Sequence, residues 1–322
     1  MTWMLTGGAG FIGSHVLRSL QGSGRDVVVV DDLSTGHAEV VPSGVPLVRA
    51  DVRDRDALVR TMREHGVVGV VHLATKKAVG ESVEQPLRYY RENVDGALAL
   101  AEAMVDAGVT RIVYSSSAAV YGAVDVPLVT EDTPTLPVSP YGETKLVGEW
   151  IFRAAAVAHG FSVSALRYFN VAGAGSDELG DTAVFNLIPM VLRAHGRGDR
   201  PQVFGADYPT PDGTCVRDYI HVADLADAHV AAAASVEAGE PGFAAYNIGR
   251  GTGSSVREVI ESVGRAMGVD LDPEVVGRRP GDPAFLVASA ERAREGLGWK
   301  ASRGLDDMTR SAWSAYRARV AV

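Results

Sequence analysis

The stretch "SPYGETKLVGEW", residues 139–150, places Tyr141 four positions before Lys145. On a helix, residues four apart share a face, so a phenol and an ammonium would point into the same space. A neighbouring positive charge favours the phenolate, and a phenolate near neutral pH is a usable proton acceptor. A second group opens the chain. In "TGGAGFIGSHVLRSL", Gly7, Gly10 and Gly13 stand where an apolar run gives way to a helical pattern. Glycines at such a junction allow a tight turn, close approach to a pyrophosphate, and close packing of helix on strand. The helix N-terminus then offers N–H groups and the positive end of its dipole to the phosphates. Asp31 closes the next apolar run, where a carboxylate can hydrogen-bond the ribose hydroxyls of an adenosine. Asp31 and Asp32 together repel a 2′-phosphate and no arginine stands nearby to receive one, which favours NAD over NADP. Asp51 and Val52, closing a third run, fit the adenine edge. The eight histidines show no H-x-x-x-H or comparable spacing, so no metal is expected.

Groups this far apart in sequence meet only if the chain between them folds back regularly. Nearly continuous hydrophobic runs at 3–6, 26–31, 45–51, 67–74, 111–116 and 162–168 read as strands buried on both faces. Helical patterns at 11–22, 54–65, 86–108 and 141–159 separate them. Strand–helix–strand repetition predicts right-handed βαβ units, hence an α/β fold with a doubly wound parallel sheet of Rossmann type. Beyond about residue 170 the pattern loosens into shorter elements with Gly and Pro. The expected division is a dinucleotide-binding domain over 1–170 and a smaller α/β substrate lobe over 171–322. A strand and helix near 216–236 are expected to return to the sheet, so that parts of 216–250 rejoin the first domain.

Composition narrows the setting. With 322 residues, 46% hydrophobic and 22% charged, the chain has the make-up of a soluble globular protein. No apolar run reaches the roughly 20 residues that cross a bilayer. No signal peptide is read at the start, and the single cysteine, Cys215, leaves no internal disulfide, so a cytoplasmic setting is expected. A formal charge of −9 argues against nucleic-acid binding through bulk electrostatics.

The glycines are spaced G-x-x-G-x-x-G, and with them the chain resembles the extended short-chain dehydrogenase/reductase superfamily. Within it the sequence is similar to the UDP-glucose 4-epimerases (UDP-galactose 4-epimerases). The resemblance runs along nearly the whole chain through "TGGAGFIGSH", "KAVGESVEQPLRYYRENV", "SSSAAVYG", "SPYGETK", "LRYFNVAGA", "FGADYPTPDGTCVRDYIHVADLADAH", "YNIG" and "RRPGDPA". It implies that Tyr141 is the catalytic base, that Lys145 holds the nicotinamide ribose and lowers the Tyr141 pKa, and that Ser117 bonds the reacting sugar oxygen. Phe11, Ile12, Leu73, Ala74, Lys77, Asn93, Ser115 and Tyr168 match further cofactor contacts. Arg217 and Arg279 match contacts to the substrate diphosphate, and an arginine fork suits phosphate geometry. Lys77, Asn170, Asn186 and Leu187 match other substrate contacts. Phe204 matches a stacking partner for uracil, Asp282 a contact to its ribose, and Leu286 a residue bordering the sugar. A slip of one residue would move that last position to Phe285. Thr75 departs from the family, which more often has a small Gly or Ala there.

The implied reaction is reversible 4-epimerisation of UDP-galactose and UDP-glucose through a 4-keto sugar, with tightly held NAD. The related 4,6-dehydratases carry Asp-Glu just after the hydroxyl residue and the decarboxylases a Glu at the second position. Here these are Ala118 and Ala119, which transfer no protons. A 4-epimerase of another nucleotide sugar such as UDP-glucuronate, and a non-catalytic NAD-sensing protein of the same fold, remain as alternatives. A sensor would need none of Ser117, Tyr141 and Lys145. The resemblance also implies a homodimer through the helices near 86–108 and 141–159, with Leu98, Ala101, Val105, Leu146, Trp150 and Ile151 as their apolar surface.

Overall fold

Residues 1–124, 126–279 and 282–320 are described by a computed structural model. Six strands come from the first half: β1 (Thr2–Thr6), β2 (Asp26–Asp31), β3 (Leu47–Arg49), β4 (Val67–His72), β5 (Arg111–Ser117) and β6 (Ser162–Tyr168). The helices between them are α1 (Phe11–Gly22), α2 (Arg55–Glu64), α3 (Val79–Glu84), α4 (Pro86–Tyr89), α5 (Asp95–Ala107) and α6 (Pro140–His159). The second half supplies β7 (Asn170–Ala172), α7 (Leu187–Gly196), β8 (Gln202–Phe204), β9 (Val216–His221), α8 (Val222–Ala238) and β10 (Gly242–Ile248). It ends with β11 (Gly253–Ser255), α9 (Val256–Met267), β12 (Glu274–Val276), β13 (Phe285–Leu286), α10 (Glu291–Leu297) and α11 (Leu305–Val320).

Seven strands form one sheet in the order β10-β6-β5-β4-β1-β2-β3, every neighbouring pair parallel. Because side chains alternate along a strand, β1 feeds two cores. Trp3 and Leu5 join Val16, Leu17 and Leu20 of α1 and Leu225 and Ala228 of α8 on one face. Met4 joins Leu58, Leu100, Met104 and Phe152 from α2, α5 and α6 on the other. Strand order reverses between β1 and β4, and a crevice opens at such a switch beyond the strands' C-terminal ends. The phosphate loop follows β1, and Leu73-Ala74 follows β4, so both border that crevice.

Three features differ from the sequence expectation. The strand at 216 does not return to the main sheet: β9 pairs with β7, β11 and β13 in a separate sheet. Arg217 and Asp218 on β9 make charged contacts in the substrate lobe, which suits a strand there better than one buried on both faces. It is α8, packed on β5 and β6, and β10, at the sheet edge, that join the first domain's layers. Second, the stretch expected as one helix over 86–108 is α4, a wider π-type turn at Tyr90–Val94, and α5. That turn buries Asn93, whose amide is used outside the helix. Third, Ala101 and Leu146 are buried within the chain's own cores, so they give no surface for a partner, and Ile151 is half-buried. Leu98, Val105 and Trp150 are exposed as expected, together with Leu87 and Val157.

Candidate active site

The crevice is shaped by backbone that only small residues permit. Gly7 has φ +73°, and a Cβ on it would sit 2.8 Å from Ala74 N, so the loops after β1 and β4 touch directly. A Cβ on Gly13 would lie 2.1 Å from Gly7 O, which is how closely α1 packs on its own loop. Gly10 caps α1 with no side chain, and a Cβ there would meet only Gly7 O, at 3.4 Å. The N–H groups of the first turn and the positive end of α1 are what a pyrophosphate requires. Asp31 ends β2 and is buried, accepting from Ala9 N and Leu33 N, both at 2.9 Å. It ties the phosphate loop to the strand end where a ribose would lie. Burial raises its pKa, and the two backbone bonds work against that rise. These features fit a dinucleotide. Asp32 is exposed and accepts from Ser34 N at 2.8 Å. Asp51 is engaged by Arg53 through its N–H and its guanidinium, at 2.8 and 2.9 Å, which holds its carboxyl below the usual range. Val52 beside it packs against Gly96 of α5.

The reacting groups are set by α6 against β5. Ser139 caps α6 by accepting from Gly142 N, and Pro140 opens the first turn. Tyr141 thus enters the helix at its very start, facing the end of β5. At Gly148 a Cβ would lie 2.2 Å from Tyr114 OH, so the absence of a side chain brings helix and strand together. Tyr141 and Lys145 are both buried, and the lysine Nζ lies 5.9 Å from the Tyr141 ring centroid. Lys145 Nζ donates to Ser115 O at 2.8 Å and to Thr75 Oγ1 at 2.9 Å. Burial lowers its pKa to about 7. The expectation that the lysine lowers the Tyr141 pKa is not met in the chain by itself. Burial raises the phenol, and a hydrogen bond with the Ser117 hydroxyl opposes that rise. The reason is desolvation, which disfavours both the phenolate and the ammonium. Ser117 ends β5 opposite Tyr168 of β6 and accepts from Ala119 N at 3.2 Å. Ser115, also buried, shares a hydrogen bond with His229 of α8 at 3.0 Å.

Asn93 spends its amide on the chain. It donates to Lys76 O and Thr144 Oγ1, both at 3.0 Å, and accepts from Lys76 N at 2.8 Å. It shapes the loop from Ala74 to Lys77 and ties it to α6. Lys77 itself is exposed. Thr75, read from sequence only as altering this loop, is a partner of the buried lysine. The missed signal was that its hydroxyl can accept from an ammonium, as Gly or Ala cannot.

Most of the residues expected to contact substrate gather around β9. Arg217 Nη1 donates to Pro283 O at 2.8 Å, and Nη2 lies 3.4 Å from Asp282 Oδ1. The Arg279 guanidinium stacks 3.7 Å over the Phe204 ring, and Arg279 O accepts from Asp282 N at 3.4 Å. The two arginines, Asp282 and Phe204 are therefore linked in one cluster. Asn170 opens β7 and pairs with Tyr219, two residues from Arg217. Asn186 stands at the N-cap position of α7 before Leu187, its amide 3.4 Å from Asp181 Oδ2. β13 runs beside β9, with Leu286 opposite Arg217. The side chain of Leu286 packs with Ala118, Tyr121 and Phe169, next to Ser117. Successive strand residues point to opposite faces, so Phe285 points away from that cluster. Asp218 was not anticipated. It is fully buried and accepts from Arg250 N, Gly251 N and Ala288 N at 2.8, 2.9 and 3.3 Å, bracing β13 against β9. Burial lifts its pKa to about 6.

Known proteins resemble this chain in sequence and fold. The profile of the NAD dependent epimerase/dehydratase family matches residues 3–249. A UDP-glucose 4-epimerase of Azospirillum brasilense is 47% identical over 321 residues, 98% of this chain and 91% of that protein. The solved UDP-glucose 4-epimerase of Stenotrophomonas maltophila, with bound NAD and formylated UDP-arabinopyranose, superposes at TM-score 0.96 with 42% identity, covering 100% of this chain and 99% of that one. The enzyme from Bifidobacterium longum, solved with NAD+ and UDP, gives 0.91 and 40%, covering 99% and 98%. With a glycine cradle at the switch point, a buried Tyr–Lys–Ser group beside it, and identity of this extent from end to end, the chain belongs to the UDP-glucose 4-epimerases of the NAD dependent epimerase/dehydratase family.

Proposed function

We propose that this protein interconverts UDP-galactose and UDP-glucose by oxidation and re-reduction at C4. The observation that carries the reading is the buried Ser117–Tyr141–Lys145 group at the mouth of a dinucleotide crevice, followed by Ala118 and Ala119. The Gly7–Gly13 loop and Asp31 would hold NAD, which when bound would supply reversible hydride exchange at C4 and a positive charge that favours the phenolate. Tyr141 accepts the proton from O4 and returns it. Ser117 orients that oxygen by hydrogen bonding. Lys145, with Ser115 O and Thr75 holding its Nζ, has an N–H left for the ribose. Arg217 and Arg279 hold the diphosphate while the 4-keto sugar turns its other face to the cofactor. Alanines after Ser117 leave no acid or base to eliminate water, so the keto sugar is reduced again. Incubation with UDP-galactose and no added NAD should yield UDP-glucose. Absence of conversion by protein that carries NAD would refute the assignment.

The exposed apolar residues of α5 and α6 support a homodimer. Leu98, Val105, Trp150 and Val157 are 48%, 41%, 55% and 87% exposed, a surface that suits pairing of the two helices with their copies as a homodimer. Among the described residues no helix is long and apolar enough to cross a membrane. A cytoplasmic setting suits a chain whose single cysteine is free and buried.

A further inference from the structure

The four-residue spacing of Tyr141 and Lys145 continues to Glu149, on the same face of α6 and fully buried. Its carboxylate is held at three points. Arg167 of β6 donates Nε to Oε1 at 2.8 Å and Nη2 to Oε2 at 2.6 Å, and Ser116 Oγ donates to Oε1 at 2.6 Å. Ser116 is the residue before Ser117. Arg167 Nη1 also donates to Tyr121 OH at 3.0 Å, and that hydroxyl donates to Asn247 Oδ1 at 2.7 Å. One buried network therefore grips α6, the end of β5, β6, the turn after β5, and β10. A two-point guanidinium–carboxylate fork fixes rotation as well as distance.

Stability accounts poorly for such a pair. Desolvating two charges is costly, and apolar residues of similar volume commonly leave a protein as stable or more so. Its links to the strand and the helix that carry Ser117 and Tyr141 are the better explanation. We infer that Glu149, with Arg167 and Ser116, forms a positioning device that sets the spacing of Ser117 and Tyr141. The inference rests on the reaction assigned above. None of the three is placed against substrate: Ser116 acts through Ser117, and Glu149 acts along α6 on Tyr141, eight residues earlier. The diphosphate is held by the other lobe, so a loosened network should damage turnover and leave binding intact.

The test uses the NAD-loaded protein. Glu149→Gln alone would leave a buried guanidinium without its counter-charge and could misfold. The informative variants are Ser116→Ala, Ser116→Thr, and the paired apolar change Glu149→Met with Arg167→Met. Misplacement of reacting groups by about 1 Å can cost about 100-fold in rate. The alanine and paired variants should therefore melt cooperatively, keep NAD and hold KM for UDP-galactose within about threefold, while kcat falls by about ten- to a hundredfold. Ser116→Thr, which keeps the hydroxyl, should recover most of kcat. If kcat stays within about twofold of wild type in both altered networks, the network only stabilises the fold and the inference is overturned. A kcat loss that the threonine does not recover, or that comes with an equal rise in KM, overturns it too. An inactive wild type would instead overturn the assigned reaction.

Discussion

In the cofactor-stripped protein, burial holds Lys145 at about 7, against 10.5 for an ordinary lysine. Its two hydrogen bonds, to Ser115 O and Thr75 Oγ1, survive deprotonation, because a neutral amine keeps two N–H groups. The unfolded chain holds its lysine proton up to about 10.5, so between about 7 and 10.5 it binds more protons than the folded state. Stability then rises with pH across that window. The whole interval of about 3.5 units, at about 1.36 kcal/mol each, sets a ceiling of about 5 kcal/mol. The part swept between about pH 7 and 9 is about 2 kcal/mol. Lys145→Met keeps the buried stem and removes the titration. Urea unfolding of stripped wild type and Lys145→Met at several pH values in this range isolates the lysine, since other titrating groups are common to both. Wild type should gain about 2 kcal/mol on the variant as pH rises. Parallel stability curves would refute the reasoning, because they would mean that the ammonium stays charged at its buried position.

Tyr141→Phe should keep fold and NAD yet lose about 10²–10⁴ in kcat, the usual worth of a positioned base, and near-normal turnover across pH would remove Tyr141 from that role. UDP-galactose and UDP-glucose should be handled better than their N-acetyl counterparts, because Leu286 packs beside Ala118 and overfilling such a wall costs about 1–3 kcal/mol. Leu286→Ser should narrow the gap in kcat/KM, and equal values before and after the change would show that Leu286 is no gate. Trp150→Glu places a charge on the exposed face of α6 and should give a monomer mass by light scattering at micromolar concentration. An unchanged dimer would place the interface elsewhere.

Local rules sufficed for some of this protein. The β-branched runs at 26–31, 67–72 and 111–117 are buried on both faces wherever they sit, so their composition already declares strands of a parallel sheet. The positive φ of Gly7 and the close packing of Gly13 on Gly7 O are demanded by a turn and an approach within a few residues of one another. Tyr141 and Lys145 share a helix face whatever that helix packs against. These readings need only the backbone near each residue.

What the tertiary structure decided involves partners distant in sequence. Whether the Tyr141 phenol sits above or below its ordinary pKa depends on how much water surrounds it, and burial overrode the charge that spacing alone suggests. Thr75 became a partner of that lysine across 70 positions, and Asn93 became a brace for the loop between them. The strand at 216 has Val, Tyr and Ile like the others, with Arg217 and Asp218 set among them. Its sheet was chosen by Arg217 and Asp218, which find Asp282, Pro283 and the backbone at 250–251 only once the second lobe has closed around them. Ala101, Leu146 and Trp150 are all apolar residues on two helices, and pattern alone cannot say which face meets the chain's own core. Packing against the sheet buries the first two and leaves the tryptophan to solvent or a partner. Side-chain type and short spacing carry the chemistry a residue can do, whereas desolvation and long-range contact determine the state in which it does it.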